Sequence, residues 1–361
     1  MAGAIIPRPE LDGVPPVPHG GHAHAEPANI LDFSSNVNPF GALPYIWEAM
    51  RSVPIERHPD PRAAPLRNAL AERAEVHPAC VLAGNGSSDL IYQLAVAFIR
   101  PGDKVLIVEP TFGEYRAAAA LMGATIISFA TRAEERFALD TAALIRTAQQ
   151  VQPRLLFLCN PNNPTGVFLD QASVAALLAA CPATLLVLDE SYINFVADPW
   201  SACDLLAAGN LLILRSLTKD YALTGLRVGF ALAAPEVIAA LEKAQPPWSV
   251  NALAQAAAIA ALRNESHLRT SLAALALAKA ALVSNLILAG LAPLPSATSF
   301  FLLPVASAVE TTCMLRERGI KVRDCTSFGL PAFVRIAAQR PEANAQLIAA
   351  LALLRNKVLQ K

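Results

Sequence analysis

Lys219 lies in the run Ser216-Leu217-Thr218-Lys219-Asp220-Tyr221, which continues to Gly225-Leu226-Arg227-Val228-Gly229. A lysine amine forms a Schiff base with an aldehyde once its neighbours help it lose a proton near neutral pH. The hydroxyl of Ser216 and the guanidinium of Arg227, on either side of the lysine, suit a phosphate dianion. Pyridoxal 5'-phosphate (PLP) is the biological aldehyde that brings both groups together. Taken alone, Lys219 also reads as a surface lysine at a strand end; three further motifs favour the cofactor.

Gly84-Asn85-Gly86-Ser87-Ser88-Asp89 leads straight into the helical run 90–99. Free N–H groups and the positive dipole end at a helix start favour a phosphate, and glycine lets the backbone come close. Gly86, Ser87 and Ser88 would form that cup; the other reading is an ordinary Ser/Asp N-cap. Asp189, in Asp189-Glu190-Ser191-Tyr192, can keep a pyridine nitrogen protonated, so that the ring accepts electrons released when a bond at the substrate Cα breaks. Asn163, in Asn160-Pro161-Asn162-Asn163-Pro164-Thr165-Gly166, and Tyr192 can both reach the phenolic oxygen of such a ring. A plain turn and a loop carboxylate are the alternatives. Phe112, in Glu109-Pro110-Thr111-Phe112-Gly113-Glu114-Tyr115, can stack on the ring or simply fill core.

Bringing these groups together requires a scaffold, and the chain has the pattern for one. Apolar runs at 104–108, 125–129, 155–158, 184–188, 211–214 and 228–233 alternate with Ala/Leu-rich helical stretches. This predicts an α/β fold with a mostly parallel sheet between helices. Ligands collect at the carboxyl ends of such strands, and the Asn160, Asp189 and Ser216 motifs each directly follow a run. After Gln245-Pro246-Pro247-Trp248-Ser249-Val250-Asn251 the pattern turns to long Ala/Leu helices with short strand-like pieces near 300–303, 321–322 and 334–336. The organisation expected is an N-terminal segment (1–60) packing with the small domain and active site, a large PLP-binding domain (61–245) and a small α+β C-terminal domain (246–361).

Lys+Arg 29 against Asp+Glu 29 gives no net charge, so nothing points to nucleic acid or an anionic membrane. The six cysteines show no disulfide or zinc spacing, and the N-terminus lacks a long apolar signal; a cytoplasmic location is expected. The apolar window 271–291 approaches membrane-spanning length, but Lys279, Ser284 and Asn285 interrupt it, favouring a core helix. His19, His22 and His24 could be read as a metal cluster, yet no carboxylate or thiolate set completes it, and no metal is expected.

Together the motifs resemble the PLP enzymes of fold type I, the aspartate aminotransferase superfamily. The likeness covers most of the chain: Asn-Pro-x-Asn-Pro-Thr-Gly, Asp-x-x-Tyr, and Ser-x-x-Lys with Gly-x-Arg-x-Gly stand in the family's order. It implies Lys219 as Schiff-base lysine, Asp189 as pyridinium partner, and Asn163 and Tyr192 as ligands of the phenolic oxygen. Ser87, Ser88, Ser216 and Arg227 become phosphate ligands. A homodimer is implied as well.

Within the superfamily two branches are similar, histidinol-phosphate aminotransferase and the threonine-phosphate decarboxylase of cobalamin biosynthesis. Both share Val322-Arg323, Phe328-Gly329-Leu330-Pro331 and Val334-Arg335-Ile336. Three segments favour the decarboxylase, a lyase: His19-Gly20-Gly21, Asp32-Phe33-Ser34-Ser35-Asn36-Val37-Asn38-Pro39, and Pro247-Trp248-Ser249-Val250-Asn251. By that likeness His19, Asn38 and Arg323 surround a substrate phosphate, Arg335 lies nearer the carboxylate, Asn163 also contacts the substrate, and L-threonine O-3-phosphate loses CO2 to give (R)-1-aminopropan-2-ol O-phosphate. The alternative is an aminotransferase of histidinol-phosphate type. A regulatory PLP protein would need a DNA-binding pattern that the first 60 residues lack. The chain departs from both branches at His58-Pro59-Asp60, where Tyr-Pro-Asp is common and reaches the cofactor phosphate across a dimer interface, and at Ser299 and Gln339.

Overall fold

Alternation of apolar residues decides the two faces of the main sheet. Leu106, Leu156, Leu158, Leu186, Leu188, Ile213 and Leu232 point to one buried layer, and their neighbours Val105, Ile107, Leu155, Phe157, Val187, Leu212 and Ala231 to the other. Successive side chains on a strand point to opposite faces, so a run apolar at every position must be covered on both sides. In the computed structural model, which describes residues 6–14, 17–20 and 29–359, helices supply both covers.

The strands are β1 (Leu31–Asp32), β2 (Val81–Gly84), β3 (Lys104–Glu109), β4 (Thr125–Ala130), β5 (Leu155–Cys159), β6 (Leu185–Asp189), β7 (Leu211–Ser216), β8 (Gly229–Ala233), β9 (Phe300–Pro304), β10 (Ile320–Lys321), β11 (Arg323–Asp324) and β12 (Phe333–Ala337). Seven form one sheet in the order β2-β8-β7-β6-β5-β3-β4, in which β8 alone runs against its neighbours. All six apolar runs of the sequence are strands here. The four-residue β2 was not anticipated, because Val-Leu-Ala-Gly is too short and too Ala/Gly-rich to declare a strand.

Asp140, Asp170 and Asn251 cap helices with their side chains, accepting from Ala143, Ser173 and Ala254 N–H. The helix Ser87–Phe98 differs: its N-cap is Gly86 at φ 84°, with no side-chain cap. A Cβ on Gly229 would stand 2.7 Å from the Ser87 nitrogen, so β8 presses directly on this helix start.

A second sheet, β11-β12-β9, is antiparallel and pairs Arg323 with Arg335 across β11 and β12. Its core includes Leu275, Leu282 and Leu286 of the helix Glu265–Leu288. That helix is long and apolar enough to cross a membrane, yet it places these leucines in protein core. β1 pairs with β10, and Phe33 joins the same core. Val250, Ala254 and Leu268 belong instead to a core layer of the large sheet.

Candidate active site

Strands β5, β6 and β7 end at Cys159, Asp189 and Ser216, and all three residues border one cavity of about 320 Å³. Lys219 enters it from the loop after β7. Burial, helped by the positive charges of Arg227 and Arg335, pulls its amine down from 10.5 to about 8. An amine that deprotonates near neutral pH is the nucleophile that an aldehyde requires.

Asp189 is 3 % exposed, and burial raises its carboxyl above the ordinary carboxylate range. Two donors oppose that rise: Tyr115 Oη at 2.6 Å on one oxygen and the Ser191 N–H at 2.9 Å on the other. Tyr115 is itself fully buried, stacked on Phe157 with centroids 4.8 Å apart, and meets Phe112 edge-on. Phe112 therefore both lines the cavity and packs against the residue that orients Asp189. Nothing in the sequence patterns pointed to Tyr115, although it begins a helix beyond β3, at the strand end where such groups collect.

On the far wall Arg335 donates to Asn163 Oδ1 and, at 2.6 Å, to the Ser34 carbonyl, while its Nε has no partner. Tyr192 Oη accepts from Asn36 at 3.2 Å, and burial pushes its phenol up to about 12. Arg323 donates to the Pro18 carbonyl at 2.7 Å and to Ser327 at 2.8 Å.

The phosphate end is built from three loops. Ser87 and Ser88 line the cavity at the uncapped helix start, and Arg227 sits beside Gly86, where a Cβ would come within 2.7 Å of the guanidinium. Only glycine allows that approach at φ 84°. Ser216 and Thr218 hydroxyls lie 2.7 Å apart, and Thr224 also faces the cavity. Asp89 does not cap the helix; it accepts from Asn85 N–H and Ser249 Oγ. Free helix N–H groups, a guanidinium and hydroxyls make a donor set for a dianion, and a desolvated lysine and a buried carboxylate complete a set that PLP fits.

Of the residues expected at the site, His19, Ser87, Ser88, Phe112, Asn163, Asp189, Tyr192, Ser216, Lys219, Arg227, Arg323 and Arg335 line this cavity. Gly86 lies just behind it. Asn38 does not reach it: 2 % exposed, it donates to the Asp220 carbonyl and Ser271 Oγ and accepts from Phe40 N–H. His58, expected to reach a cofactor phosphate across a dimer interface, does not line this chain's own cavity; within the chain it stacks on Trp248 at 4.7 Å. Ser299 and Gln339 do not line the cavity, and His22 and His24 lie outside the described residues. Asn36, Thr218 and Thr224 are cavity residues that the motifs did not single out.

A family model for aminotransferases of class I and II matches residues 28–351. The chain belongs to that family; its fold is PLP fold type I and its cofactor pyridoxal 5'-phosphate. Relatives 33–38% identical over 90% of the chain are histidinol-phosphate aminotransferases. Histidinol-phosphate aminotransferase 2 of Ralstonia nicotianae is 38% identical over 338 residues, covering 90% of this chain and 89% of the relative. Among solved structures, histidinol-phosphate aminotransferase of Sinorhizobium meliloti in complex with PLP superimposes with a TM-score of 0.82 at 25% identity, over 90% of each chain. L-threonine-O-3-phosphate decarboxylase of Porphyromonas gingivalis gives 0.80 at 30% identity, over 91% of this chain and 100% of that one.

These relatives overturn the expectation of a threonine-phosphate decarboxylase, and the assignment to cobalamin biosynthesis falls with it. The structure supplies a physical reason. In the Trp248–Asn251 segment, Ser249 ties down Asp89, Val250 is core, and Asn251 caps the helix Ala252–Leu262 and reaches the Leu226 carbonyl. Asn38 is likewise spent on scaffold. Residues that fix the framework do not discriminate between reactions.

Proposed function

We propose that the chain is a PLP-dependent aminotransferase of histidinol-phosphate type, acting on a small phosphorylated amine. The phosphorylated-substrate part of this reading is carried by a lysine with a depressed amine in a cavity that also presents the register-paired Arg323 and Arg335, and the aminotransferase part is supported by relatives 33–38% identical that are histidinol-phosphate aminotransferases. Arg323, partly exposed, suits a phosphate, and Arg335, buried and tethered to Asn163, suits an anionic group closer to the cofactor, such as the carboxylate of an amino acceptor.

When bound, PLP supplies an aldehyde for Lys219 and a ring that accepts electrons from the substrate Cα. Ser87, Ser88, Ser216 and Arg227 would hold its phosphate, Asp189 its pyridine nitrogen, and Asn163 and Tyr192 its phenolic oxygen. Tyr115 keeps the Asp189 carboxylate aimed through its short hydrogen bond. With cofactor and substrate bound, Lys219 Nζ would be the base that takes the proton from the substrate Cα, a role suited to an amine depressed to about 8. A homodimer and a cytoplasmic location complete the reading.

Holoenzyme mixed with histidinol phosphate should lose the absorbance of the aldehyde cofactor and regain it with a 2-oxo acid. Release of CO2 from threonine phosphate, without oxo-acid formation and without any response to histidinol phosphate, would overturn the proposal.

A further inference from the structure

Residues Val17–Gly20 cross the cavity mouth and touch both walls. On the wall built from the large sheet, His19 Nε2 lies 2.9 Å from Glu114 Oε1, and Glu114 Oε2 accepts from Tyr92 Oη at 2.7 Å. Glu114 is 8 % exposed, so its carboxylate is held by two partners rather than by water. Next to it, a Cβ on Gly113 would come within 2.8 Å of Val17 Cγ1. On the wall built from the small sheet, Pro18 O accepts from Arg323 at 2.7 Å, and a Cβ on Gly20 would stand 2.7 Å from the Ser34 carbonyl. Four residues are thus pinned at both ends, with Gly20 against the Ser34 backbone at a distance too close for a side chain and Gly113 packed against the Val17 side chain.

We propose that Val17–Gly20 form a roof over the cavity, and that Glu114 is the positioning residue that holds His19 against it for a phosphorylated substrate. Glu114 touches neither cofactor nor reacting atoms; it acts through His19. The roof covers Lys219 and brings an imidazole to the same mouth as Arg323, so a substrate phosphate meets a cation on one side and a ring fixed by Glu114 on the other. Loosening either end should admit water and small nucleophiles to the cofactor while leaving the chemistry of Lys219 intact. The substrate part of this inference rests on the aminotransferase reading; the roof does not.

The test uses holoenzyme of Glu114→Ala, Glu114→Gln and Gly20→Ala with two readouts: the rate at which hydroxylamine strips the cofactor, and steady-state kinetics with histidinol phosphate. Glu114→Ala and Gly20→Ala should both be stripped several-fold faster. Their KM should rise about tenfold, the worth of one contact to a charged group, with kcat within about twofold of the parent. Glu114→Gln, which still accepts from His19, should recover most of the loss. Unchanged stripping in both Ala variants would overturn the roof, and an effect of Glu114→Ala without one of Gly20→Ala would do the same. Full loss in Glu114→Gln would overturn the positioning role. If the parent enzyme ignores histidinol phosphate, the substrate reading falls, and the stripping rates still decide the roof.

Discussion

The floor of the cavity and its mouth are built on different principles. On the floor, Asp189 and Ser216 are strand-end residues of one sheet, and Lys219 and Tyr115 lie just beyond such ends. Asp189, Tyr115 and Ser216 are buried and bonded to close neighbours. At the mouth, the contact between Arg323 and Pro18 joins residues 305 apart in sequence, and both His19 and Arg323 are partly open to solvent. A floor locked into a sheet fixes where the cofactor and its lysine sit. A mouth assembled from separate segments can change its ligand without disturbing that chemistry, which is how one family serves different substrates.

Substitutions can break or sharpen this contrast. Lys219→Ala should abolish turnover, by about a thousandfold or more, because it removes the proton carrier as well as the nucleophile; a single-turnover assay with added amine checks it. Tyr115→Phe should lower kcat about tenfold with little change in KM, since it strips one short hydrogen bond from a buried carboxylate and leaves the mouth untouched. Asn38→Ala should do the opposite of what a substrate ligand would: KM within twofold of the parent, but a loss of about 2 kcal/mol in urea unfolding from its unsatisfied buried partners. A tenfold rise in KM there would move Asn38 from the framework to the mouth.

A further expected effect is on pH. The Lys219 amine is depressed to about 8 in the folded chain against 10.5 when unfolded. The unfolded chain therefore binds the extra proton between those values, and apoenzyme stability should rise with pH through that window. Lys219→Met, which keeps the length without the charge, should make the apoenzyme more stable than its parent below pH 8. The advantage should shrink as pH approaches 10.5, and thermal melts of both apoproteins at pH 7 and 10 would show it.

The floor was largely legible in the sequence because each of its main residues follows an apolar run, and a run buried on both faces must be a strand. Lys219, Asp189 and Asn163 could be placed by that logic alone, and the order of strands did not need to be known. Tyr115 escaped because its role depends on which helix start faces which strand end, a matter of sheet order: β3 and β6 are separated only by β5. The mouth was misread for a related reason. Asn38 and Ser249 stand in motif-like runs, and a sequence does not say whether an asparagine or serine spends its hydrogen bonds on a ligand or on backbone. Here both were spent on the framework, and the reaction inferred from them was the wrong one.

The single reversed strand, β8, has a consequence for how safely the chemistry is held. It pairs Ser216 with Gly229 in the last rung of β7, so the loop carrying Lys219 leaves and re-enters the sheet at the same level. Side chains alternate from face to face along a strand, so slipping β8 by one residue would turn Phe230 and Leu232 out of the core layer they share and bury their neighbours in the wrong one. The lysine loop therefore cannot drift by small steps: any error in its placement is charged against a whole hydrophobic layer. Proofreading of the active site is in this sense done by the core, during folding, before any ligand arrives.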